Sequence, residues 1–139
     1  MRLLLDTHAF LWFISGNDRL SNQARNLIED PRDERLVSAV RLWEIAIKVG
    51  IGKLTLTEPF GPFISRELQT NAMAILPVKL DHLAKLLELP LHHRDPFDRL
   101  LAAQALAEQS VCVSLDHTFD TYGVPRQWWI HDRSLPPEE

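Results

Sequence analysis

Short apolar runs alternate along this chain with stretches whose apolar residues recur at helical spacing, and that alternation constrains the fold more than any other feature. Leu3-Leu4-Leu5, Leu36-Val37, Ile75-Leu76-Pro77-Val78 and residues 111–115 suit buried strands. Between them, residues 7–14 are apolar nearly all round and predict a buried first helix, stopped near Ser15-Gly16-Asn17. Ser21 predicts the cap of a second, more polar helix through Ala24, Leu27 and Ile28, ending at Asp30-Pro31. Ser38 caps a helix in which Leu42, Ile45, Ala46 and Val49 form a buried stripe, with Gly50 and Gly52 at its end. A fourth helix includes Phe60, Phe63 and Ile64, and Leu80, Leu83, Ala84 and Leu87 repeat the buried stripe as far as Pro90. A loop then leads into a helix from Pro96 to about Gln109. Asp116 opens a short helical turn after the late strand, and Trp128-Trp129-Ile130 predict a last strand. Strands alternating with helices imply a three-layer α/β/α sandwich with a mainly parallel sheet, as one domain over residues 1–139. In such sheets ligands bind beyond the carboxyl ends of the strands, where the strand order reverses.

Composition removes several classes. Hydrophobic residues make up 45% and charged residues 24%, which argues against disorder. The single cysteine, Cys112, has no partner for an internal disulfide and sits in the apolar run Val111-Cys112-Val113, where it reads as a small buried hydrophobe. The longest apolar run, residues 9–14, is far too short to cross a bilayer, and Asp6 interrupts the apolar start that a signal peptide needs. A cytoplasmic protein with no membrane partner is expected. The net charge of −4 speaks against a protein that coats nucleic acid.

The placement of the acids matters more than their number. Asp6 ends the first strand, Glu44 lies in the helix after the second, Asp98 falls in the first turn of a later helix, and Asp116 ends the late strand. Each has a structural explanation: Asp6 and Asp116 suit helix caps, Asp95 and Asp98 suit a helix start around Pro96, and Glu44 can pair with Lys48. Together they gather along one edge of a parallel sheet. Two carboxylates ~5 Å apart repel by about 3 kcal/mol at an effective dielectric near 20, so four need protons or a cation. All-oxygen ligands select a hard ion, Mg²⁺ or Mn²⁺, suited to phosphoryl chemistry.

The segments Leu4-Leu5-Asp6-Thr7-His8, Leu42-Trp43-Glu44-Ile45-Ala46-Ile47-Lys48, residues 92–105 and Val113-Ser114-Leu115-Asp116 resemble, in order and spacing, those of PIN-domain proteins. More narrowly they resemble the VapC-type toxins of bacterial type II toxin–antitoxin pairs. The resemblance spans essentially the whole chain, and the block around Asp95-Pro96-Phe97-Asp98 is its most specific part. It implies a Mg²⁺-dependent endoribonuclease, with Mn²⁺ as the alternative ion, leaving a 5′-phosphate and a 3′-hydroxyl. The catalytic and metal-binding quartet would be Asp6, Glu44, Asp98 and Asp116, with Asp95 as an auxiliary metal ligand and Thr7 orienting Asp6 or a water. It also implies an RNA substrate, a VapB-type antitoxin and a homodimer.

Two other classes remain open at this level. Leu3-Leu4-Leu5-Asp6-Thr7 is also similar to the strand-end aspartate of haloacid-dehalogenase-type phosphohydrolases, although His8 stands where those carry a second Asp. A catalytically inactive PIN domain acting as a binding or regulatory module is the third. Arg41, Lys48 and Lys53 are read either as phosphate-steering cations or as solvated surface charge, and Arg94 and Arg99 similarly. His92, His93 and His117 lie near acids without metal-ligand spacing. Trp12 and Trp43 are expected in the core, and Trp128-Trp129 at a sheet edge or dimer seam. Without the quartet the chain carries no net charge, so its acidity is the expected metal site.

Overall fold

The structure, a computed structural model, describes residues 1–91 and 95–128. Chain order runs β1 (Arg2–Leu5), α1 (Thr7–Ser15), α2 (Asn22–Glu29), β2 (Glu34–Ser38), α3 (Ala39–Gly50), α4 (Phe60–Thr70), β3 (Ala74–Leu76), α5 (Leu80–Glu88), α6 (Pro96–Ala107) and β4 (Val111–Val113). A 3₁₀ turn over His117–Tyr122 and a short β5 (Arg126–Gln127) follow. The five strands form one sheet in the order β3-β2-β1-β4-β5, and every pairing is parallel. Leu4 is in register with Leu36 on one side and Cys112 on the other, so β1 is central.

Pleating divides β1 between two cores, because successive side chains leave opposite faces of a strand. Leu3 and Leu5 join Phe10, Ile28, Val37, Ile45, Ile64 and Val113 on one face. Leu4 joins Leu36, Leu101, Ala102, Cys112 and Phe119 on the other. Helices therefore cover both faces of a wholly parallel sheet, the three-layer arrangement that the sequence predicts. Among the described residues, no helix is long and apolar enough to cross a membrane.

Local signals that come from backbone chemistry agree with the expectation. Asp6, Ser21, Ser38, Asp95 and Asp116 all accept hydrogen bonds from backbone N–H groups at the turns or helices they open. Gly16 closes α1 at φ +67°, in the left-handed region that glycine enters without a Cβ penalty.

Four expectations need correction. The stripe on α5 faces outward: Leu80 and Leu87 are 85% and 88% exposed, and the fully buried residue of that helix is His82. Helical spacing defines a face without saying which neighbour it meets, and α5 turns its His82 side towards α6. Trp43 is 60% exposed and meets Phe97 edge to face instead of entering the core. The last strand forms at Arg126–Gln127, where Cys112 and Val113 supply pairing partners, and not at residue 128. Trp128 is buried at an edge-to-face angle to Trp12, within the core beneath α1, while Trp129 and Ile130 lie outside the described residues. Strands β3 and β4 also stop short of the predicted ends, leaving Val78 and Leu115 exposed.

Candidate active site

Strand order reverses at β1: the chain steps from β1 through β2 to β3 on one side, then crosses to β4 on the other. Chains leaving β1 and β4 at their carboxyl ends diverge there, which opens a crevice. Asp6 leaves β1 at that point and Asp116 lies three residues past β4. The N-terminal half of α3 brings Arg41 and Glu44 to the same place, and the first turn of α6 brings Asp95 and Asp98. All four expected acids, with Asp95, Thr7, Arg41, Lys48 and Ser114, line one cavity of about 360 Å³.

Each acid is oriented by its element. One oxygen of Asp6, Oδ1, accepts the Thr7 backbone N–H at 2.8 Å, capping α1, and Oδ2 accepts the Ser114 hydroxyl at 2.6 Å. The same Ser114 oxygen accepts the Asp116 backbone N–H at 3.0 Å, tying the β1 and β4 exits together. Asp116 Oδ1 accepts the Thr118 N–H at 2.9 Å and Asp95 Oδ1 the Phe97 N–H at 2.9 Å. Glu44 Oε1 accepts the Thr7 hydroxyl at 3.2 Å, and its Oε2 pairs with Lys48 Nζ at 3.3 Å. The structural roles weighed for Asp6, Asp95, Asp116 and Glu44 are thus all present. They coexist with convergence on the cavity, because capping engages one carboxylate oxygen of each aspartate.

Arg41 is the feature that sequence reasoning placed wrongly. It is neither a surface cation nor a phosphate-steering one, being only 3% exposed. Its Nη2 lies 2.9 Å from Asp6 Oδ1 and 2.8 Å from Asp98 Oδ1, and its Nη1 lies 2.7 Å from Glu44 Oε1. One guanidinium joins three of the four acids. The i, i+3 spacing to Glu44 was readable in the sequence; its burial follows from α3 packing with Ile45 inward and from α6 closing over it.

Charge balance in the cavity follows from this contact. Burial works against the Arg41 charge, but Asp6, Asp98 and Glu44 outweigh it and hold the guanidinium above its ordinary range. Burial likewise pushes Glu44 up, yet Arg41 and Lys48 prevail and its carboxyl sits below the usual range. For Asp98 burial wins: Arg41 pulls down, Asp95 and Asp6 push up, and the carboxyl is raised.

Other expected residues lie elsewhere. His117 is exposed and pairs with Asp120 at 3.1 Å and Arg126 at 2.8 Å, apart from the cavity lining. Arg99 Nη2 donates to the Leu89 carbonyl at 3.2 Å, joining α6 to the end of α5. Lys53 shares an adjoining groove with Lys48, His8 and Trp12. His92, His93 and Arg94 lie outside the described residues.

A second polar cluster, at the opposite edge of the sheet, has no motif in the sequence. Asp81, His82 and Glu108 bring ligand-type atoms within 4.8 Å of one another. Glu108 is already held there by His82 Nε2 at 2.7 Å, Arg2 Nη1 at 2.8 Å and Lys79 Nζ at 3.4 Å. The His82 Nδ1 accepts the Lys79 backbone N–H at 3.0 Å, so Nε2 carries the proton it donates to Glu108. The hydrogen bond from His82, with Arg2 and Lys79 behind it, overcomes burial and draws the Glu108 carboxyl down to about 2.

A wholly parallel α/β/α sheet with carboxylates from four separate segments gathered at its reversal point defines a class of acidic-site α/β domains. Residues 3–125 match the model of the PIN domain, and the chain belongs to the PIN domain family. Ribonuclease VapC16 of Mycobacterium tuberculosis is 33% identical over 61 residues, a match covering 44% of this chain. The chain spans 42% of the length of that curated relative. Among solved structures, VapBC2 from Rickettsia felis bound to a DNA fragment from their promoter aligns over 91% of this chain and 98% of that one, with TM-score 0.68 and 17% identity. VapBC-1 from nontypeable Haemophilus influenzae aligns over 93% and 98%, with TM-score 0.65 and 17% identity. At those identities the two structures establish the shared fold.

Proposed function

We propose that this PIN domain is a divalent-metal-dependent endoribonuclease acting as the toxin of a type II toxin–antitoxin pair. The observation that carries the reading is the convergence of Asp6, Glu44, Asp98 and Asp116 on one cavity at the sheet's reversal point. The similar proteins support it: one is named a ribonuclease, and two are VapBC structures. The lining suits a hard cation, since its oxygen donors are five carboxylates and two hydroxyls against one imidazole, His8, and no sulfur. Asp6, Asp98 and Asp116 would hold the ion, Mg²⁺ or Mn²⁺, with Glu44 and Asp95 as further carboxylates lining the same cavity. The bound ion supplies Lewis acidity and offsets charge on the phosphodiester oxygens.

The remaining chemistry belongs to the chain. Ser114 fixes the orientation of Asp6, and Thr7 fixes Glu44. Glu44, paired with Lys48, is an acceptor able to orient an attacking water. Lys48, partly exposed at the rim, is a cation available to an approaching phosphate. None of these roles needs a covalent intermediate on Asp6. A VapB-type antitoxin and a second copy of the chain are the partners this reading brings, in the cytoplasm.

Purified protein should cleave single-stranded RNA with Mg²⁺, stop on addition of EDTA, and show no cleavage as Asp98→Asn with an unchanged circular dichroism spectrum. Full activity in Asp98→Asn would sink the assignment. Metal binding without cleavage by the wild type would favour the non-catalytic module.

A further inference from the structure

Both terminal nitrogens of Arg41 are bound by carboxylates of the cavity, drawn from three elements. Among the described residues its Nε is buried without a hydrogen-bond partner, as are those of Arg35 and Arg99. Those carboxylates are also the ones that the proposed function assigns to a divalent ion.

We propose that Arg41 is a built-in counter-cation that competes with the divalent ion for Asp6, Asp98 and Glu44, so that metal enters this site by displacing a guanidinium. The inference rests on the nuclease reading and adds a regulatory property to it. Arg41 already holds Oδ1 of Asp6 and of Asp98, and a divalent ion taken up by the same carboxylates in a cavity of this size would be repelled by it. Arginine does not lose its proton in proteins, so pH does not release the acids. Only a competing cation or movement of the side chain does. The consequence is a site whose acids are partly offset at low metal concentration and that needs a higher concentration to load than the same acids would without Arg41. Lys48 is a natural comparison, because among the described residues its ion pair is with Glu44 and it is 37% exposed, where solvent screens its charge.

The test is Mn²⁺ binding by isothermal titration calorimetry to wild type, Arg41→Met, Arg41→Lys and Lys48→Met, with thermal melts of each across a Mn²⁺ series. Arg41→Met should bind Mn²⁺ on the order of tenfold tighter than wild type or more, since a positive charge has left the site. Arg41→Lys should stay near wild type and Lys48→Met should gain less than Arg41→Met. If uncompensated acids unfold metal-free Arg41→Met, added Mn²⁺ should restore its melting transition, with a larger rise in Tm than wild type shows. A folded Arg41→Met that binds Mn²⁺ no tighter than wild type overturns the inference and leaves the nuclease reading intact. So does an unfolded one that Mn²⁺ does not rescue. Absence of Mn²⁺ binding in every variant, with no RNA cleavage by wild type, removes the nuclease reading and the inference together.

Discussion

Asp116 performs two tasks with one carboxylate. It caps the 3₁₀ turn through the Thr118 N–H, and it contributes negative charge to the cavity. The two tasks separate by substitution, because asparagine caps nearly as well as aspartate and alanine does not. Asp116→Asn should therefore melt close to wild type yet lose Mn²⁺ affinity and RNA cleavage. Asp116→Ala should lose the same function and about 1 kcal/mol of stability besides, read from urea denaturation. Ser114 poses the complementary case, since its hydroxyl bonds Asp6 and receives the Asp116 N–H while lying outside the expected quartet. Ser114→Ala leaves both partners short of a bond and should cost about 1–3 kcal/mol, with weaker Mn²⁺ binding as the second readout.

The elements that carry the site are joined through the core as well as through the acids. Ser38, which caps α3, donates to Gln104 Oε1 on α6, and Gln104 Nε2 reaches the Pro77 carbonyl and His82 Nδ1, each at 3.3 Å. Both Ser38 and Gln104 are fully buried. Gln104→Leu strands several polar groups away from water and should destabilise the fold by about 2–4 kcal/mol, with a loss of activity that follows from tilting α3. How far the sequence revealed these elements depends on the physics behind each signal. Caps and turn glycines are local, so Asp6, Ser21, Ser38, Asp95 and Gly16 could be read directly. Strand alternation with helices gave the layers, and the strand-end rule brought the four acids to one edge. Orientation was not local. The Leu80, Leu83 and Leu87 stripe marks a helix face correctly, but the face α6 covers is the one holding His82, and spacing alone does not choose between them. Arg41 escaped for a similar reason. Its charge pointed to the surface, and only the meeting of β1, α3 and α6 makes a buried arginine tolerable.

The whole molecule has a chemically different cluster at each end of its sheet. Among the described residues that line the cavity at the carboxyl end, acids outnumber cations, and a divalent ion that binds only the folded state should raise stability by about 2.7 kcal/mol at one hundred times its Kd. A rise in Tm with Mn²⁺, reversed by EDTA, is the expected result. At the amino end, Glu108 is bound by Arg2 from β1, Lys79, and His82 from α5, and Arg2 also reaches Glu34 of β2 at 2.8 Å. Its carboxyl is drawn from 4.5 to about 2 in the folded chain, so the folded state takes up this proton less readily than the unfolded state. The stabilisation is complete above about pH 5 and fades as pH falls towards 2. Melting temperatures of wild type and Glu108→Gln should differ most near neutrality and converge across that interval.

The central position of β1 also imposes an order of events on a chain still being synthesised. Asp6 is among the first residues made, yet its partner Ser114 and the strand that brings Asp116 beside it are separated from it by most of the described chain. A growing polypeptide that has formed β1, β2 and β3 has one flank of β1 unpaired and no wall on that side of the crevice. The acids therefore assemble only after β4 has left the ribosome. Nascent chains in which β4 has not yet emerged carry the residues of the site without its shape.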